Sequence, residues 1–208
     1  MPIKTLELFS GTQSFSKGIT RNNKENTAIT VDILNLFRPT HQADILEWNY
    51  RQYPSGYFDI LWCSPPCTEY SKAKTRGERN LTLADSLVAK CFEIIDYFKP
   101  RLWIVENVGT GLLVKRMENI RPGLQSYFVD YCAYGKPYRK RTILWSNHPL
   151  TLNLCQGKNN CDQMIDGKHK GSCGNGTSKY NSVGVSSVWE KDEIPEALID
   201  SIVAQLVA

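Results

Sequence analysis

The chain has 208 residues, of which 41% are hydrophobic and 22% charged, and a net charge of +4. That suffices for one α/β domain with a full core and a small appendage, and the mild basicity permits a phosphate-bearing partner without requiring one. Seven cysteines, four of them (Cys63, Cys67, Cys91, Cys132) in apparent core elements, argue against a secreted disulfide framework and for a reducing, cytoplasmic setting, and no apolar run approaches the roughly 20 residues of a membrane span.

Residues 3–9 (IKTLELF) read as a first strand that runs directly into Ser10-Gly11-Thr12, with a helix predicted over 14–22. Strand, tight glycine turn and helix N-terminus together bring backbone N–H groups to a nucleotide-like ligand, although many α/β loops carry a glycine without one. Residues 27–33 (TAITVDI) predict a second strand that reaches Asp32. That carboxylate is placed either to hydrogen-bond a ribose diol or simply to sit solvated at a strand tip. Asp44, beside Ile45 in HQADILEW, either caps a short helix or lines an adenine pocket.

Residues 59–71 (DILWCSPPCTEYS) organise the chain. Ile60, Leu61 and Trp62, without alternation, predict a short strand buried on both faces. Pro65 and Pro66 then remove two backbone donors and fix φ, so the chain leaves the sheet in one rigid direction. Cys67 stands at that exit, in the crevice beyond the carboxyl ends of parallel strands. The position suits a nucleophile, and equally a buried packing cysteine. Lys72, Lys74, Arg76 and Arg79 follow as a basic loop, either a segment closing over a phosphate backbone or solvated surface. Residues 82–98 predict a core helix with Leu83, Leu87, Cys91, Ile94, Ile95 and Phe98 on one face and a Thr82–Asp85 capping box.

Residues 102–105 (LWIV) predict another buried strand, with Glu106-Asn107-Val108 at its carboxyl end. A carboxylate there can engage a ring nitrogen or cap the helix that follows. Residues 127–132 and 141–145 read as strands on either side of a basic turn. Arg139 and Arg141 alternate across Lys140, so in an extended segment they point the same way and can hold a carboxylate and a phosphate together. Residues 151–188 are rich in Gly, Asn, Ser and Lys. Within them Cys155, Cys161, His169 and Cys173, spaced C-x5-C-x7-H-x3-C, supply four soft ligands for a tetrahedral structural zinc, or are incidental to a loop. Residues 194–207 predict an amphipathic closing helix with Pro195 in its first turn. The expected organisation is a core over 1–150, a small polar Cys/His segment over 151–190, and a helix over 191–208 that packs back on the core.

Taken in order, Leu8-Phe9-Ser10-Gly11, Asp32 and Asp44, Ser64-Pro65-Pro66-Cys67, Glu106-Asn107-Val108 and Tyr138-Arg139-Lys140-Arg141 resemble the motifs of the DNA (cytosine-5) methyltransferase family. The resemblance covers about residues 3–146 and the final helix. The compact form with a Cys/His tail looks most like the stand-alone methylases of bacteriophages and other large viruses. The resemblance implies an α/β, Rossmann-like fold dependent on S-adenosylmethionine, with residues 1–150 as the catalytic core. It implies cofactor contacts from Phe9, Gly11, Asp32, Asp44, Ile45 and Pro65, and catalysis by Cys67, Glu106, Arg139 and Arg141. The reaction implied is methyl transfer to C5 of cytosine in DNA through a covalent Cys67 adduct, on a base that is flipped out or single-stranded.

Three departures from the family pattern matter, one of them Pro137-Tyr138 standing before Arg139 where the family's arginine motif has a glutamine. Thr12-Gln13-Ser14 follows Gly11 where family members usually carry more glycine. The long target-recognition domain is also missing, since only about 40 polar residues separate Trp145 from the last helix. RNA, tRNA in particular, is therefore an alternative substrate, and a recognition subunit in trans an alternative source of specificity. The competing class is a non-catalytic nucleic-acid binder, which would need none of Cys67, Glu106 and Arg141.

Overall fold

The computed structural model describes residues 2–158, 160–172 and 192–207. Five strands run parallel: β1 (Lys4–Leu8), β2 (Thr27–Asp32), β3 (His41–Gln42), β4 (Ile60–Cys63) and β5 (Leu102–Val108). Beyond β5 lie β6 (Ser126–Asp130) and β7 (Arg141–Ser146), and β7 is antiparallel to both of its neighbours. The sheet order is β3-β2-β1-β4-β5-β7-β6. The chain therefore leaves β1 toward one edge and returns through β4 toward the other. The crevice beyond the carboxyl ends of β1 and β4 is the place where such a sheet receives a ligand.

Helices α1 (Ser14–Asn22) and α4 (Glu196–Val207) cover one face of the sheet, and α2 (Leu81–Phe98) and α3 (Leu113–Ile120) the other. Because both faces are covered, β4 and the first four residues of β5 are apolar throughout rather than alternating. Ile60, Trp62, Leu102 and Ile104 pack with Phe15, Leu198 and Ile199, while Leu61, Cys63 and Val105 pack with Val88, Cys91 and Ile95. Phe15 stacks on Trp62 with ring centroids 4.8 Å apart, a pairing worth about 1 kcal/mol beyond its buried area. A Cβ on Gly18 would meet Ile199 at 2.8 Å, so this glycine is what lets α1 and α4 approach.

Four expectations need correction. The cap of α2 is Asn80, whose Oδ1 accepts the Leu83 N–H at 3.0 Å, and not a Thr82–Asp85 box. Asp85 instead holds Arg116 and accepts the Tyr70 hydroxyl at 2.9 Å. Leu83, 47% exposed, lies off the core face of α2, which is built from Ala84, Val88, Cys91, Phe92, Ile94, Ile95 and Phe98. Finally, β5 does not stop at Val105: β7 pairs it through Glu106, Asn107 and Val108, and residues 131–134 turn as a 3-10 helix instead of prolonging β6. Among the described residues, no helix is long and apolar enough to cross a membrane.

Candidate active site

A cleft of about 400 Å³ opens at the carboxyl ends of β1, β4 and β5. The turn after β1 forms its floor with backbone in the left-handed region at Phe9 (φ 56°), Gly11 (φ 41°) and Gln13 (φ 59°). Gln13 occupies a conformation that favours glycine, and its side chain offsets the strain by donating to the Phe37 carbonyl at 2.7 Å. Asp32 clamps the same turn: Oδ2 accepts the Gly11 N–H and Oδ1 the Leu34 N–H, both at 2.8 Å. Ser10 lines the cleft with a buried Oγ that has no hydrogen-bond partner among the described residues. Glu7, also buried, accepts the N–H groups of Phe15 and Ser16 at the start of α1. Burial pushes its carboxyl up to about 7, against the pull of those donors.

Beside the cleft lies an apolar slot of about 260 Å³ between Phe9, Ile33, Ile45, Leu83 and Leu87, with Asp32 and Asp44 at its polar end. This is where Leu83 goes, while Leu87 lines the slot and also packs against the core. Asp44 also caps a turn, since its Oδ1 accepts the Leu46 N–H at 2.9 Å. The six residues expected at a cofactor thus fall in two adjoining spaces: Phe9, Gly11, Asp32 and Pro65 line the cleft, and Phe9, Asp32, Asp44 and Ile45 the slot.

Cys67 lines the cleft half-buried, on the loop that Pro65 and Pro66 stiffen. Asn107 fixes that loop from β5: its buried Nδ2 donates to the Pro65 carbonyl at 2.9 Å. Glu106, 9% exposed, faces the same space. The Tyr131 hydroxyl donates to Glu106 Oε1 at 3.4 Å. Burial, and then the Glu106 charge, push that phenol well above its ordinary value, so it stays a donor. Burial likewise pushes the Cys67 thiol up, Lys140 pulls it down, and Glu106 and Asp192 oppose the lysine.

Arg139 and Arg141 do point the same way, but the carboxylate they share is Asp130. Arg141 donates to it through Nε at 2.7 Å and Nη2 at 2.6 Å, and Arg139 through Nε at 3.2 Å. Burial would raise this fully enclosed acid, yet Arg141, the Cys155 N–H and Arg139 hold it down to about 2. Both arginines border a second cavity with Val108 and Thr110, and Lys140 lines both this cavity and the cleft. Asp130 and Lys140 were missed by motif reading. The first is the one charged residue of an otherwise uncharged strand, and the second must face away from its flanking arginines.

The basic loop after Cys67 is partly closed on itself. Glu69 holds Lys74 at 2.7 Å, and Arg79 donates to the carbonyls of Ser71 and Lys74, leaving Lys72 and Arg76 as exposed cations. At the other edge of the sheet, Cys155, Cys161 and His169 come together as expected. Cys173 lies outside the described residues, and Cys132, from the turn after β6, also joins the group. The ligand atoms of these four residues lie within 4.8 Å of one another.

The family model for C-5 cytosine-specific DNA methylases matches residues 3–131. The chain is 34% identical over 177 residues to the Frog virus 3 (isolate Goorha) protein named "Probable DNA (cytosine-5)-methyltransferase", covering 78% of this chain and 79% of that relative. It is 26% identical over 141 residues to DNA (cytosine-5)-methyltransferase PliMCI of Paracentrotus lividus, covering 62% of this chain and 9% of that relative. Among solved structures, the Entamoeba histolytica methyltransferase EhMeth matches with a TM-score of 0.55 at 19% identity, a likeness of fold. That match covers 74% of this chain and 57% of that one, so the chain spans little more than half of the solved relative.

Proposed function

The chain belongs to the C-5 cytosine-specific DNA methylase family, and on that premise we propose that it transfers a methyl group from S-adenosylmethionine to C5 of cytosine in DNA, with Cys67 as nucleophile. One observation carries the assignment of residues: Cys67 and Glu106 line the same cleft as the glycine turn after β1.

The cofactor fits the residues present. Glu7, Asp32, Glu106 and Asp192 line the cleft against one lysine, Lys140, which favours a cofactor bearing a sulfonium and an ammonium over a bare polyanion. Ser10 Oγ is a buried hydroxyl with no partner among the described residues. The slot between Phe9, Ile45, Leu83 and Leu87 suits an adenine ring, with Asp32 and Asp44 at hand for the ribose. When bound, S-adenosylmethionine supplies an electrophilic methyl group to C5.

The chain's own residues make C5 receptive. The Cys67 thiolate adds to C6, and the C5–C6 π electrons move to C5. Glu106 holds the ring at N3 and favours that addition. After methylation a base removes the C5 proton, the C6–S bond breaks, and the electron pair returns to sulfur. Lys140 stabilises the thiolate at both ends of the cycle. Arg139 and Arg141, two cations on one buried carboxylate, leave excess positive charge at the second cavity for a substrate phosphate. Cys67 is recessed, so the cytosine must be flipped or single-stranded to reach it. At the sheet edge, the Cys/His group is read as a structural zinc centre.

Tritium-labelled S-adenosylmethionine offered with duplex DNA, single-stranded DNA and tRNA tests this. Label should appear as 5-methylcytosine in DNA, and Cys67→Ala should lower the rate by roughly a thousandfold or more while cofactor binding persists. Label confined to tRNA would overturn the DNA assignment. A Cys67→Ala variant with undiminished turnover would overturn the nucleophile.

A further inference from the structure

We propose that Cys132, Cys155, Cys161 and His169 bind one zinc ion tetrahedrally, and that this centre fixes the Asp130–Tyr131 segment from which Arg139, Arg141 and Glu106 are held. The inference deepens the structural-zinc reading above and rests on it.

The geometry of the four ligands suits the ion. His169 Nε2 lies 3.5 Å from Cys155 Sγ and 3.7 Å from Cys161 Sγ. Bond lengths of about 2.3 Å to sulfur and 2.0 Å to nitrogen put a tetrahedral S···N edge at roughly 3.5 Å. Three thiolates and an imidazole are a soft donor set that selects zinc over calcium or magnesium. The segment also lacks another reason to hold its shape. Between residues 153 and 170 none of the described residues is buried, so apolar packing contributes little, and metal binding energy can become folding energy in its place.

The step beyond zinc comes from what the ligands are attached to. Asp130, Tyr131 and Cys132 are consecutive. Asp130 carries both arginines, Tyr131 donates to Glu106, and Cys132 is a ligand. From the opposite side, the backbone N–H of Cys155, a second ligand, donates to Asp130 Oδ2 at 3.0 Å. The hairpin that supplies His169, β8 (Met164–Ile165) with β9 (Lys168–His169), returns to the core where Gly171 N–H donates to the Pro137 carbonyl at 2.7 Å, two residues before Arg139. The metal would thus close a ring around the arginine segment. The cofactor slot, at the β2–β1 end of the sheet, makes none of these contacts. Groups hydrogen-bonded to metal ligands, as Asp130 is to Cys155, typically change metal affinity or activity by about 10- to 100-fold when lost.

The test uses the full chain and Cys161→Ser, chosen because Cys161 is half-exposed whereas Cys132 is buried. Metal content by plasma mass spectrometry should be one zinc per chain, falling to a small fraction in the variant, and cobalt substitution should give the intense visible bands of a tetrahedral thiolate site. Failure to hold or take up zinc or cobalt, or a disulfide among the three cysteines in non-reducing mass analysis, would overturn the centre and with it the inference. With the centre established, the coupling has its own readout. Cys161→Ser should weaken binding of a cytosine-containing oligonucleotide about tenfold or more, while the dissociation constant for S-adenosylmethionine by calorimetry stays within twofold. If zinc is lost and both affinities hold, the ion is only a local staple. If both fall together, it serves the whole fold. Either result overturns the coupling and leaves the zinc site standing.

Discussion

In the cleft, Cys67 stands as one sulfur among four carboxylates and a lysine, whereas at the sheet edge three sulfurs and an imidazole nitrogen crowd within 4.8 Å. In the cleft, Ser10 Oγ lacks a partner among the described residues, and burial raises both Glu7 and Cys67. The edge does the opposite. Asp130 is enclosed yet held ionised by two guanidiniums and a backbone N–H, and the cysteines face one another and His169. A site that must receive a ligand tolerates strained, unsatisfied groups, while a site that must hold its shape satisfies them internally. Changing a residue on either side of this contrast shows how real it is.

Glu7 offers the largest effect. Its folded value near 7 lies above the ordinary 4.5 of a glutamate, so the folded state resists ionisation. Stability tied to Glu7 is therefore fully present below about pH 4.5 and drains away as pH rises through 7. A shift of this size corresponds to about 3 kcal/mol in the limit. Between pH 5 and pH 8.5, urea unfolding should show Glu7→Gln gaining roughly 2 to 3 kcal/mol relative to the unmodified chain. A difference that does not move with pH would mean that the Phe15 and Ser16 N–H groups keep Glu7 charged throughout, and the cleft would then resemble the edge.

Lys140 sharpens the contrast at intermediate size, because it is the lysine shared by the cleft and the arginine cavity. It pulls the Cys67 thiol down against burial. Lys140→Gln should therefore raise that thiol further and leave less thiolate at a given pH. Alkylation of Cys67 by iodoacetamide, followed by mass spectrometry across pH 7 to 10, should run about three- to tenfold slower below the new midpoint. An unmoved profile would mean that the desolvated cleft alone sets the reactivity of Cys67.

How much of this was legible follows from the range of each signal. Apolar runs such as LWIV and the break at Pro65-Pro66 are local, and they put β4, β5 and Cys67 where the structure has them. Partnerships across the sheet edge are not local. Cys132 reads as a core cysteine until β6 and β7 pair and the turn at 131–134 swings it toward Cys155, so spacing within the polar segment could not nominate it. Asp130 is the same case: opposite Arg141 in the strand register, it takes both guanidiniums, a pairing visible only once the antiparallel register is known. Leu83 obeys helical periodicity, yet periodicity cannot distinguish a core face from the wall of a slot.

The smallest effect concerns Gln13, where the cleft's tolerance of strain can be weighed directly. A non-glycine residue at φ 59° costs about 1 kcal/mol, which Gln13→Gly would relieve. The same change frees the unfolded chain and removes the donor that reaches the Phe37 carbonyl, and each of these costs a similar amount. The terms oppose one another, so chemical denaturation should place the variant within about 1 kcal/mol of the unmodified chain. Cofactor affinity should respond more than stability does, falling a few-fold, because Gln13 ties the turn under the cleft to the segment that carries Ile33 and Leu34. A gain of stability with unchanged affinity would show that the glutamine is strain without compensation. In that event, the contrast between a cleft that tolerates strain and an edge that does not would extend to the backbone itself.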